Sequence, residues 1–200
     1  MAAPKVASEF AAANEAYVKN YGGKLPLPPT RQVAIVTCMD ARIDPIASLG
    51  LKEGDAHVIR NAGGRASEAI RSIVISQRLL GTTEVVLFHH TDCGMLTFSD
   101  QDIRNKLKEA EGPAVAPYAD QIAFLSFSVG DQDIRNKLKE AEGPAVAPYA
   151  DQIAFLSFSS LEQSVKEDVE YIKSHPLVLK DAKVSGWVHE VETGKIRQVV

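Results

Sequence analysis

Apolar and polar positions along this chain keep two different rhythms, and each change of rhythm marks an element. From Ala2 to Tyr21, the residues Phe10, Ala13, Tyr17 and Tyr21 recur at helical spacing, which predicts an amphipathic helix ending at Gly22-Gly23. Pro26 to Thr30 is proline-rich and reads as an extended connector. Val33 to Thr37 is a short β-rich run, the pattern of a strand covered on both faces. Asp44-Pro45 opens a short helix, because proline suits a first turn, and Gly50 closes it. Ala56 to Arg60 is a second strand that runs into Asn61-Ala-Gly-Gly64. Ser67 is expected to cap a helix reaching Leu80, with Ile70, Ile73 and Val74 apolar and Gly81 as its stop. Val85 to Phe88 is the third strand.

The next stretch breaks the pattern. Asp100 to Ser128 is repeated letter for letter as Asp131 to Ser159, after the spacer Val129-Gly130. Two copies are too few for a solenoid, which needs at least about three to bury a continuous core. Each copy reads as a helix with Ile103, Leu107 and Ala110 on one face in the first copy, then a Gly-Pro stop and an apolar tail from Ile122 to Phe127. A domain with one groove for this segment leaves the copies in competition. The first is expected to keep the entry from Phe98 and the second the exit into Ser160, with the surplus looped out. Beyond it, Ser160-x-x-Gln163 opens a helix with Val165, Val169 and Ile172 as its apolar face, ending at His175-Pro176. Val184 to Val191 alternates as a strand, and Thr193-Gly194 turns it into a last strand, Ile196 to Val200.

Strand, helix, strand, helix, strand with short links predicts an α/β fold. Its sheet is mainly parallel and flanked by helices, with right-handed crossovers and an antiparallel C-terminal edge hairpin. Residues 1–200 read as a single domain with an N-terminal helical arm, 1–30, and the internal duplication.

Composition narrows the class. A hydrophobic content of 45% and a charged content of 24% are those of a globular chain. The net charge is −4, and no run of lysines and arginines offers a phosphate track, so no nucleic-acid partner is expected. No apolar stretch reaches the length of a membrane span, so no membrane partner is expected either. The N-terminus lacks an apolar signal core, and a cytoplasmic location is the expectation. Two cysteines in such a chain read as a metal or catalytic pair rather than a disulfide.

Those cysteines fall where chemistry is expected. His90 and Cys93 stand at His-x-x-Cys spacing just past the third strand, and an imidazole and a thiolate so close suit tetrahedral Zn²⁺. Two ligands do not hold a zinc, and Cys38, the other cysteine, ends the first strand. Asp40 and Arg42 follow Cys38, while Gly63 and Gly64 follow the second strand. All sit at carboxyl ends of predicted parallel strands, the edge where open α/β sheets bind ligands. Two thiolates and one imidazole leave one of four positions open, the mark of catalytic rather than structural zinc. Asp40 can accept a hydrogen bond from a water there, and Arg42 can hold Asp40 in place and ionised. Gly63 and Gly64 serve either a tight turn or the close approach of a small substrate. His89 faces away from His90 and reads as packing. Asp92 either holds a turn or bonds a ligand. His57, His175 and His189 read as structural or exposed, and Trp187 as core or interface.

The set Cys38-x-Asp40-x-Arg42 and His90-x-x-Cys93, with Arg60-Asn-Ala-Gly-Gly64 between, resembles the β-class carbonic anhydrases. The likeness is greatest to the short microbial and fungal branch that includes carbonyl sulfide and carbon disulfide hydrolases. It runs from about Arg31 to Val200, apart from one copy of the repeat. It implies one zinc per chain, hydration of CO₂ to bicarbonate, and a homodimer or a higher oligomer of dimers with the N-terminal helix laid across the partner. It also implies that Asp40 can swing onto the zinc in some members and close the site. COS or CS₂ hydrolysis at the same zinc is the alternative, and a zinc-binding protein silenced by the duplication is a third.

Overall fold

The β-branched runs become strands of one sheet in the order β2-β1-β3-β4-β5. They are β1 (Val33–Cys38), β2 (Ala56–Asn61), β3 (Glu84–His90), β4 (Lys183–His189) and β5 (Ile196–Gln198). The computed structural model describes residues 5–99, 102, 106 and 156–200. Strands β1 to β4 run parallel and β5 is antiparallel to β4. Val33 is level with both Ala56 and Glu84, so the carboxyl ends of β1, β2 and β3 come out together. The chain steps from β1 to β2 on one side and then crosses to β3 on the other. The order therefore reverses between β1 and β3, which opens a crevice at their carboxyl ends.

The helices described in full are α1 (Lys5–Val18), α2 (Pro45–Ser48), α3 (Ala66–Leu80) and α4 (Leu161–Ser174), beside short 3-10 turns at Ala62–Gly64 and Gly94–Leu96. Asp44 caps α2 by accepting the amides of Ile46 and Ala47, and Gly81 ends α3 in the left-handed conformation at φ 73°. Ser160 caps α4 through the Gln163 amide, but the Gln163 side chain bonds Glu167 instead of reaching back, so the box is half made. Two expectations need correction. α1 stops at Val18, before the glycines, because a turn from Asn20 to Tyr17 already closes it. Ser67 lies inside α3 and its hydroxyl is buried without a partner; the first amide of that helix, Ala66, bonds Asp168 on α4 instead.

The main core is Val36, Val85, Leu87 and Val188 from the sheet against Ala69 and Ile73 of α3 and Val165, Val169 and Ile172 of α4. Each large aliphatic side chain fully buried there contributes about 1.5–3 kcal/mol. α4 lies directly on β4, where a Cβ on Gly186 would come within 2.5 Å of Val165 and 2.8 Å of Val169. A smaller cluster gathers Cys38, Ile43, Cys93 and Met95 at the crevice. The duplicated segment falls almost wholly outside the described residues, including the expected faces Ile103, Leu107, Ala110 and Ile122 to Phe127. The end of its second copy is described: Leu156 is buried and the Phe158 amide donates to the Met95 carbonyl.

Candidate metal centre

The crevice brings together three side chains that are far apart along the chain. Cys38 ends β1, His90 ends β3, and Cys93 follows a tight turn through Asp92, whose φ is 51°. One donor atom from each lies within 4.8 Å of the other two, and all three residues are buried. His90 Nδ1 meets the Thr91 carbonyl at 2.9 Å, and a carbonyl only accepts, so that nitrogen carries the hydrogen. Its Nε2 lone pair is thereby free, and this atom is buried with no hydrogen-bond partner. An orphaned acceptor beside two thiols fits a tetrahedral cation, with ligand types that select zinc.

The two thiols shift in opposite directions. The Cys38 thiol is lowered to about 4, chiefly by a hydrogen bond from Cys93, with burial opposing and His90 and the amides of Asp40 and Gly63 assisting. Cys93 is correspondingly pushed up by its bond to Cys38 and by burial. Burial pulls the His90 ring down, but the Cys38 thiolate outweighs it and the net direction is up, so an ion bound here would displace a proton to reach the Nε2 lone pair.

Beside the centre, Arg42 grips Asp40 with both prongs of its fork, Nε to Oδ1 at 3.0 Å and Nη2 to Oδ2 at 2.8 Å. The Arg42 amide adds a third bond at 2.9 Å, and together these hold the Asp40 carboxyl well below the usual range. Asp40 Oδ2 stands 3.9 Å from His90 Nε2, next to where an ion would sit. Arg42 also reaches Asp92, at Oδ2 (2.6 Å) and at the carbonyl (2.9 Å). Arg60 ties the same loop from β2, donating to the Cys38 carbonyl at 2.9 Å and the Asp40 carbonyl at 2.7 Å.

Gly63 and Gly64 form a tight turn with φ of 78° and 70°. A Cβ on Gly64 would lie 3.0 Å from the Cys38 nitrogen, the Phe88 carbonyl oxygen and the Thr37 carbonyl carbon. His89 does point away from His90, but it is more than packing: both ring nitrogens have partners on α4, Ser164 and Asp168. His57 bonds Ser76, His189 is buried, and the Trp187 indole donates to Ser185. None of these joins the centre.

The family model described as carbonic anhydrase matches residues 33–196. The chain belongs to the β-carbonic anhydrase family. β-Carbonic anhydrase 1 of Mycobacterium tuberculosis is 38% identical over 199 residues, 97% of this chain and 98% of that protein. A carbon disulfide hydrolase of Acidianus is 33% identical over 173 residues, 86% of this chain and 79% of that one. The solved structure of a carbonic anhydrase from Glaciozyma antarctica superposes with a TM-score of 0.75 at 45% identity, covering 94% of this chain and 95% of the other. Family membership accords with the sheet order and with the three converging side chains. Sequence reasoning gave no role to Arg60 beyond its motif, and none to Asp168. Both act on backbone groups of distant residues, a contact that leaves no local pattern.

Proposed function

We propose that this chain hydrates CO₂ reversibly to bicarbonate, with one Zn²⁺ held by Cys38, His90 and Cys93. The observation that carries the reading is the buried trio of donor atoms within 4.8 Å of one another, one of them an unpartnered imidazole nitrogen. A zinc ion there would supply Lewis acidity and bring the pKa of a water down to about 7. The remaining steps belong to the protein. Arg42 fixes both Asp40 oxygens in one plane: Oδ1 accepts two bonds from Arg42 and is filled, whereas Oδ2 accepts one and keeps a lone pair for the hydrogen of a reacting water. That fixes which lone pair of the water faces the substrate. Asp40 stays ionised throughout, so it accepts a proton in a hydrogen bond without taking it. Ile43, Met95, Phe98, Phe158 and Val191 gather around the two cysteines, an apolar setting suited to a linear molecule with no net dipole. The Gly63–Gly64 turn brings backbone close to the same place with no Cβ between.

A second reading is COS or CS₂ hydrolysis at the same centre. The likeness to the Acidianus hydrolase favours it, and the apolar wall takes either substrate. Stopped-flow CO₂ hydration, run in parallel with COS and CS₂ turnover on the zinc-loaded chain, separates them. Hydration at or above 10⁴ M⁻¹s⁻¹, about the lower end for enzymes, supports the first reading; turnover of the sulfur compounds alone supports the second. Zinc retained with no turnover of any of the three would mean a silenced site.

The partner is proposed to be a second copy of this chain. Support comes from Phe10 and Tyr17, large residues that α1 leaves exposed. A reducing cytoplasmic setting suits the two free thiols, and no helix among the described residues is long and apolar enough to cross a membrane.

A further inference from the structure

A second buried constellation lies behind the Gly63–Gly64 turn, and the proposed reaction makes no use of it. Asp168 is its hub. The Asp168 Oδ2 accepts the Ala66 amide at 3.2 Å and meets His89 Nε2 at 3.1 Å, while Oδ1 pairs with Arg65 Nη2 at 3.3 Å. The other ring nitrogen of His89 meets Ser164 Oγ at 2.7 Å. Serine, histidine and aspartate in a row suggest a nucleophilic set, but His89, Ser164 and Asp168 are all buried, so no substrate reaches the hydroxyl.

What these residues do is converge on one short piece of backbone. Asn61 brackets Arg65, accepting its amide at 2.6 Å and donating to its carbonyl at 2.8 Å. The Phe158 ring lies over the Arg65 guanidinium, 5.5 Å from its centre, and stacks on His89 at 5.3 Å. Arg65 Nε and Nη1 are buried with no hydrogen-bond partner, so the bond to Asp168 is the anchor of this guanidinium among the described residues. The far side of the same turn lies against Cys38: a Cβ on Gly64 would come within 3.0 Å of its backbone nitrogen, and the Gly63 amide helps to lower its thiol.

We propose that Asp168 is a positioning residue for the metal centre, holding the Gly63–Gly64 turn against Cys38 through Arg65, Ala66 and His89. Groups that orient a ligand's own hydrogen bonds govern metal affinity by about 10–100-fold. The path from Asp168 to Cys38 runs through the close approach of the Gly64 backbone to the backbone of that ligand. The inference rests on the reading of Cys38 as a metal ligand.

The test compares full-length D168N with V169A, a neighbouring core substitution on α4 whose side chain faces Gly186 of β4. Zn²⁺ dissociation constants are measured by competition with a chromophoric chelator, beside melting of the metal-free proteins and the thiolate-to-cobalt absorption of the Co²⁺ forms. V169A should melt lower with its zinc affinity and cobalt spectrum unchanged. D168N should bind zinc about 10-fold more weakly and shift the cobalt band. A loss of affinity in D168N more than about 3-fold beyond that of V169A supports the assignment, and a smaller one overturns it. Should D168N not fold, R65K, which keeps the charge but loses the planar fork, is judged by the same ratio. Failure of the unmodified chain to bind Zn²⁺ at all would instead overturn the metal-centre reading, and this inference with it.

Discussion

Substituting Gly64 with alanine separates two effects that usually travel together. Gly64 and Gly81 share nearly the same backbone conformation, φ 70° and 73°. A side chain in that left-handed region costs about 1–2 kcal/mol. The surroundings differ. A Cβ at Gly81 has nothing within 4 Å, whereas one at Gly64 would meet three backbone atoms at 3.0 Å. Backbone in paired strands cannot step aside as a flexible side chain can, so overpacking adds about 1–3 kcal/mol at Gly64 alone. G81A should therefore lose about 1–2 kcal/mol and G64A about 2–5 kcal/mol. Urea unfolding of the metal-free proteins reads both, and chelator competition reads zinc retention. G64A should also release zinc more readily, because the strain falls on the Cys38 nitrogen and the Thr37 carbonyl carbon. Equal destabilisation of the two variants, with equal zinc affinity, would refute the close approach of this turn to β1.

Two further outcomes follow from the same geometry. R42Q removes the fork from Asp40, and the carboxyl should return toward its ordinary value of about 3.9; hydration at neutral pH should drop by about 10–100-fold with zinc content intact. Since the folded carboxyl is depressed, its stabilisation is present above that ordinary value and is lost as pH falls through the lower folded one; the gap in melting temperature between the native chain and R42Q should be widest above about pH 4 and should close in stronger acid. Deletion of residues 100–130 should leave zinc binding and hydration within about 3-fold of the full chain, because Leu156, Phe158 and Ser160 all remain; loss of both would show that the first copy builds the site.

The parallel strands were legible because their runs are short, β-branched and followed by glycine or polar turns, which sheet geometry requires. The centre was legible for a related reason. Cys38, His90 and Cys93 stand just past predicted strand ends, so topology alone brings them to one edge. Cross-chain hydrogen bonding was not legible. Ser67 looked like the cap of α3, yet the carboxylate that bonds the Ala66 amide comes from Asp168, 102 residues further on. His89 read as packing because its alternation places it inward, but nothing near it announces Ser164 or Asp168. Asp92 was ambiguous because its role depends on a guanidinium fifty residues earlier. Local pattern reports which face a residue takes; it does not report which polar group waits there.

X-ray absorption at the zinc edge, on full-length protein with its metal content measured, tests the central claim most directly. One zinc per chain should show two sulfurs at about 2.3 Å and a lighter shell at about 2.0–2.1 Å, with imidazole scattering from one histidine. C38S should keep one sulfur and bind the ion more weakly. A shell of oxygen and nitrogen alone, or a C38S spectrum identical to that of the native chain, would contradict the assignment of Cys38, His90 and Cys93 as the metal centre.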